Sequence, residues 1–174
     1  MSFTSESINF VQTPNPNAMK SFTLTTEIKV YAMSELSETD LQLVKKAQEA
    51  TLRSYAPYSH FHVGAAALLE DGNIVTGTNQ ENAAYPSGLC AERTTLFYAN
   101  SQYPDQAVMA LAIVARTENG ELNKTPITPC GACRQVMVET EKRYGKPMRV
   151  LLCGSEEVYI AESAQSLLPL SFDL

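Results

Sequence analysis

His62-Val63-Gly64-Ala65-Ala66-Ala67-Leu68-Leu69, then Asp71-Gly72, then Ile74-Val75-Thr76-Gly77 is the stretch on which the reading of the fold turns. A continuous small and apolar run suits a strand buried on both faces. An Asp-Gly pair before a second β-branched run predicts a β-hairpin. Upstream, Ser37 with Asp40 three residues on resembles a capping box with Asp in place of Glu. Leu41, Val44, Ala47 and Ala50 recur at near-helical spacing and predict a helix over 38–55, ended by Pro57. Downstream, Cys90–Asn100 reads as a helix, Val108–Ala115 as a buried strand and Thr117–Pro129 as a polar connection. Gly131–Tyr144 follows as an amphipathic helix with Val136 and Val138 on its apolar side. Arg149–Cys153 reads as another buried strand, Glu157–Ile160 as a short one, and Ala164–Leu168 as a last helical turn before Pro169. Helices alternating with buried strands after a hairpin predict an α/β fold: a mixed sheet covered on both faces, a three-layer α/β/α sandwich.

Residues 1–18 carry Ser, Thr, Asn and two prolines and read as an irregular arm. Over Lys20–Tyr31, Phe22, Leu24, Ile28 and Val30 fall on one parity, which predicts an extra edge strand or hairpin. Residues 1–36 are therefore expected to be an N-terminal extension and 37–174 the compact domain. The longest apolar run, Ala107–Ala115, is about half a membrane span, so no membrane partner is expected. No basic start precedes an apolar block in the first thirty residues, so no secretory leader is expected. Four cysteines are too few for a disulfide scaffold, which favours a reducing, cytoplasmic setting. A net charge of −6 argues against non-specific binding to nucleic acid or anionic lipid, since both require surplus Lys and Arg.

Three cysteines stand out by spacing. Pro129-Cys130-Gly131-Ala132-Cys133 is a C-x-x-C entering a helix, and Cys90-Ala91-Glu92 sits forty residues upstream at another helix start. Helix N-termini favour thiolate. Two such starts facing each other could put three thiolates on one zinc ion and leave a fourth position for water, as in a catalytic site. Glu92 is poorly spaced to ligate beside Cys90 but well placed to hydrogen-bond a water at the metal and shuttle its proton. On these residues alone other readings stay open. A structural zinc could recruit Cys153 as a fourth thiolate, and the C-x-x-C could be redox-active or inert.

Cys90-Ala91-Glu92 followed by Pro129-Cys130-x-x-Cys133 is a known signature of zinc-dependent nucleobase deaminases, in which His usually holds the first ligand position. Further segments match as well: Tyr58-Ser59-His60-Phe61-His62-Val63-Gly64-Ala65-Ala66, Gly77–Pro86, Cys90–Thr94, Pro129–Gln135 and the closing Leu167–Phe172. Over about residues 37–172 the chain resembles cytidine deaminases of the small, homotetrameric type. The resemblance implies one zinc per chain on Cys90, Cys130 and Cys133, with Glu92 as proton shuttle. It implies that Arg93 hydrogen-bonds the zinc cysteines and offsets the formal −1 charge of three thiolates on Zn²⁺. It assigns Asn79 and Glu81 to the ribose hydroxyls, the Ala91 backbone N–H to the pyrimidine 2-oxo group, and Phe61 to the base pocket. Tyr85 matches a tyrosine at a subunit junction, and Phe172 an aromatic contributed by a neighbouring subunit. His60 and His62 have no role in the pattern and are read as structural.

The implied activity is hydrolytic deamination, cytidine to uridine and deoxycytidine to deoxyuridine, within pyrimidine salvage. The partners it implies are a nucleoside substrate and further copies of the same chain. Two rivals are carried: a blasticidin-type deaminase, which shares the zinc motifs, and a non-enzymatic zinc-stabilised interaction module. The first is not expected to carry Asn79-Gln80-Glu81-Asn82. The second does not explain Glu92, Asn79 and Glu81 together. Two departures from the pattern are the long arm at 1–36 and an expected insertion near Gln102–Val108 or Thr117–Thr128.

Overall fold

The computed structural model describes residues 9–11 and 20–173. Eight strands and three α-helices run in the order β1 (Asn9–Val11), β2 (Ser21–Thr23), β3 (Lys29–Ala32), α1 (Glu38–Thr51), β4 (His62–Leu69), β5 (Ile74–Thr78), α2 (Ala91–Gln102), β6 (Val108–Arg116), α3 (Gly131–Tyr144), β7 (Arg149–Cys153) and β8 (Glu157–Ala161). The main sheet is six-stranded and mixed, in the order β3-β8-β7-β6-β4-β5, with β6 and β7 its parallel pair. The β4–β5 hairpin closes as its sequence predicts. Leu69 N–H donates to the Asn73 carbonyl, and Gly72 takes φ 88°, a conformation that suits a residue without Cβ.

Period-two alternation divides the sheet between two cores. Ala65, Ala67, Leu111, Ile113, Val150 and Leu152 face Leu96 of α2 and Met137 and Val138 of α3. Ala66, Ala112, Val114, Leu151 and Ile160 face Leu43, Val44 and Ala47 of α1 on the other side. These are the three layers expected. The small residues of β4 and β6 let the helices approach closely, and each fully buried leucine such as Leu43 or Leu111 contributes about 1.5–3 kcal/mol. Asp40 adds a two-point ion pair to Arg149 at 3.1 Å for each contact, which ties the start of α1 to β7.

One expectation needs correction. Helix α1 stops at Thr51, not Tyr55. Leu52, Arg53 and Ser54 tighten into i→i−3 bonds, and the chain then leaves to pair with the loop after β5. Tyr55 N–H donates to Asn79, and the Tyr55 carbonyl accepts from Glu81 N–H. The alternating segment 20–31 does supply the expected edge strand. It splits into β2, paired with β1, and β3, which extends the main sheet beside β8. Its apolar parity mostly faces outward: Phe22, Leu24 and Val30 are exposed, and Ile28 alone packs on the core. At an edge strand, alternation marks two faces without saying which is inside. Asn9–Val11 is a strand within what reads as an irregular arm, and the rest of residues 1–18 lies outside the described residues.

Candidate active site

Strands β5 and β6 both run antiparallel to β4, so they point the same way. The helices that follow them, α2 and α3, therefore start at the same end of the sheet. Gly77 in β5 allows α2 to lie close, since a Cβ there would fall 2.8 Å from the Thr95 nitrogen. Cys90 caps the start of α2, Cys130 caps the start of α3, and Cys133 lies in the first turn of α3. Two cysteine motifs forty residues apart thus meet.

The three Sγ atoms lie within 4.8 Å of one another, the one such group of Cys, His, Asp or Glu among the described residues. Cys90 and Cys130 are 4.0 Å apart, and Cys130 and Cys133 are 3.5 Å apart. A tetrahedral zinc with Zn–S bonds near 2.3 Å requires sulfurs roughly 3.8 Å apart, so the donor set and its spacing fit zinc. The thiol of Cys90 is pulled down to about 5, first by a hydrogen bond from Cys133 and then by Arg93. Cys133 is correspondingly pushed up, by its bond to Cys90 and by burial. Cys90 is thus favoured as thiolate over Cys133, and a cation between them is what would bring Cys133 to that form. Cys153 is not part of this group. It is buried in the core on the α1 side of the sheet, opposite Cys133, and burial pushes its thiol up to about 12.

Glu92, one residue inside α2, is only 5% exposed. Burial holds its carboxyl above the ordinary carboxylate range, and the Cys90 charge adds to that, while a hydrogen bond from the Cys133 thiol works against it. Arg93 Nη2 donates to Cys90 Sγ at 3.6 Å. Its Nε is buried without a partner among the described residues.

The family model of the cytidine and deoxycytidylate deaminase zinc-binding region matches residues 37–144. The chain belongs to that family. A cytidine deaminase from Halalkalibacterium halodurans is 50% identical over 97 residues, which cover 56% of this chain and 68% of that protein. A cytidine deaminase from Mycobacterium tuberculosis is 42% identical over 93 residues, 53% of this chain and 65% of its own. The crystal structure of a Burkholderia pseudomallei cytidine deaminase superposes with a TM-score of 0.64 at 40% identity, covering 79% of this chain and all of that one.

Beside the thiol cluster opens a cavity of about 400 Å³, lined among others by Tyr58, Ser59, Asn79, Glu81, Tyr85, Cys90 and Arg93. Of the residues singled out in the sequence, Asn79, Glu81, Tyr85, Cys90 and Arg93 share this wall. Phe61, Ala91 and Phe172 do not line it. Ala91 is fully buried at the start of α2, and Phe172 is 69% exposed on the C-terminal tail. Asn79 is already engaged: Nδ2 donates to the Phe61 carbonyl at 2.9 Å and Oδ1 accepts from Val63 N–H at 2.8 Å. It therefore clamps the entry to β4, with one N–H and one lone pair left over. Glu81 accepts from the Tyr58 and Ser59 N–H groups and from the Ser59 hydroxyl, and these donors, the hydroxyl foremost, keep its carboxylate ionised.

Ser59 and Tyr58 are site residues that spacing alone gave no reason to choose. The only hint was their place in the matched segment. Tyr58 meets Tyr85 edge to face, with centroids 6.3 Å apart, and both line the cavity. His60 holds φ 54°, and His62 Nδ1 lies 2.5 Å from Ser54 Oγ. Neither histidine lines the cavity.

Proposed function

We propose that this chain hydrolyses cytidine and deoxycytidine to uridine and deoxyuridine, releasing ammonia. The observation that carries the reading is the thiol cluster, with Glu92 buried two residues after Cys90, beside a cavity walled by Asn79, Glu81 and Cys90 itself. Zinc on Cys90, Cys130 and Cys133 would supply the Lewis acid that makes hydroxide available near neutral pH. Glu92 takes a proton from the attacking water as C4 of the pyrimidine is approached, and delivers it to N3. It then carries a proton to the leaving amine, so water is consumed and ammonia leaves. Its raised pKa suits a group that must hold a proton between steps. Arg93 steadies the negative charge on Cys90. The free lone pair on each of Asn79 and Glu81 is what remains for the ribose hydroxyls, the Ala91 N–H serves the 2-oxo group, and Phe61 serves the base.

In this reading residues 37–174 are the catalytic domain and 1–36 an extension, although β3 of the extension completes the edge of the main sheet. No helix among the described residues is long and apolar enough to cross a membrane. A cytoplasmic role in pyrimidine salvage is part of the same proposal. Tyr85, Phe97, Tyr98, Leu170 and Phe172 are large apolar side chains left exposed. They support a homotetramer in which Tyr85 and Phe172 approach a neighbour's site. Light scattering should give the mass of four chains, and a fully active monomer would rule out shared sites.

The function itself is tested by following ultraviolet absorbance of the purified protein with cytidine, deoxycytidine, cytosine, adenosine and blasticidin S. Turnover of the two cytosine nucleosides is expected. Turnover of blasticidin S alone, or of none, would overturn the proposal.

A further inference from the structure

Gln135 follows Cys133 by two residues, and the chemistry above does not use it. Its side chain meets the backbone of Phe172. Nε2 donates to the Phe172 carbonyl at 3.0 Å, and the Phe172 N–H donates to Oε1 at 3.1 Å. One amide joined to both the N–H and the C=O of one residue reproduces the pairing of an antiparallel bridge. Two such bonds fix where residue 172 lies and where its Cα–Cβ bond points. Burial does not do this, since Leu170 is 72% and Phe172 69% exposed. Two flanking contacts come from the same helix: Arg134 Nη1 donates to the Leu167 carbonyl at 3.2 Å, and Lys142 pairs with Asp173 at 2.7 Å on the surface, while Gln165 Nε2 holds the Leu168 carbonyl at 3.1 Å. An exposed ion pair of this kind holds little. The tail thus rides on α3, the helix that carries Cys130 and Cys133.

We propose that Gln135 is a positioning residue that clamps the Phe172 backbone to α3 and so sets the Phe172 ring for substrate binding. The proposal rests on the reading above that Phe172 reaches a substrate site. The clamp grips backbone alone, so it is indifferent to the side chain at 172, whereas the ring depends on the clamp. This asymmetry gives the test. KM and kcat for cytidine, zinc content and melting temperature are measured for the full chain carrying Gln135→Ala, Gln135→Glu, Phe172→Ala, and Gln135→Ala with Phe172→Ala.

Gln135→Ala is expected to raise KM about 10-fold, the scale of two lost hydrogen bonds. Its kcat should stay within about 3-fold, with zinc retained. Phe172→Ala should act in the same direction, and the double variant should be no worse than the worse single one, because the ring to be positioned is already gone. Gln135→Glu keeps the acceptor for Phe172 N–H but sets an oxygen against the Phe172 carbonyl, so its KM should fall between wild type and Gln135→Ala. Multiplying effects in the double variant would overturn the proposal. So would loss of fold or zinc in both Gln135 variants, which would make the residue structural. An unchanged KM in Gln135→Ala beside a raised KM in Phe172→Ala would sink the clamp and leave the ring's role standing. An unchanged KM in Phe172→Ala would sink both.

Discussion

Glu92→Gln should lower cytidine turnover at least about 10²-fold, the lower end for a general acid–base group, while zinc stays close to one per chain. Glutamine matches glutamate in size and can keep one hydrogen bond, so packing around this 5%-exposed position changes little. What it cannot do is accept a proton and return it. The thiols of Cys90, Cys130 and Cys133 are untouched, so loss of turnover without loss of metal separates the proton shuttle from the ligand set. A zinc-stabilised interaction module would be indifferent to the change. Activity within a few-fold of the parent would refute the role given to Glu92.

Cys130→Ala with Cys133→Ala should remove zinc altogether and lower activity by at least about 10³-fold, since the water would no longer be activated near neutral pH. A single remaining thiolate, Cys90, cannot hold the ion. Cys133 is fully buried, so its loss also trims the α3 side of the core. Cys130 is exposed, so Cys130→Ala alone removes a ligand without a packing change and should show much of the same metal loss. Cys153→Ala, across the sheet, serves as the control and should leave zinc and activity nearly intact. Zinc retained unchanged in the double variant, measured by metal analysis, would refute the ligand assignment.

Much of this architecture is legible in the chain because the signals are local. The Ser37 cap, the Asp-Gly turn and the apolar runs of β4 and β6 each act within a few residues, and α3 begins and ends where its sequence predicts. The cysteine spacing likewise exposed the chemistry, and the resemblance joined Cys90 to the C-x-x-C. The misreadings have local causes too. Periodicity continues past Thr51 although Tyr55 is drawn away to Asn79. The parity of Phe22, Leu24 and Val30 is real, but nothing within the segment says which face meets a core.

The sequence by itself determined most of the helices and strands beyond residue 37, which residues can ligate a metal, and that Glu92 sits beside them. Tertiary structure decided what lies between distant segments. The order of the sheet brings two helix starts to one end and seats Cys153 on the opposite face from Cys133. It also turns Asn79 and Glu81 into clamps for the Phe61–Val63 and Tyr58–Ser59 backbone, and sets Gln135 against Phe172. The physical reason is range. Caps, turns and side-chain periods depend on neighbours along the chain, whereas hydrogen bonds across 16 to 40 residues exist only once strand order and crossover have fixed which backbone groups face each other.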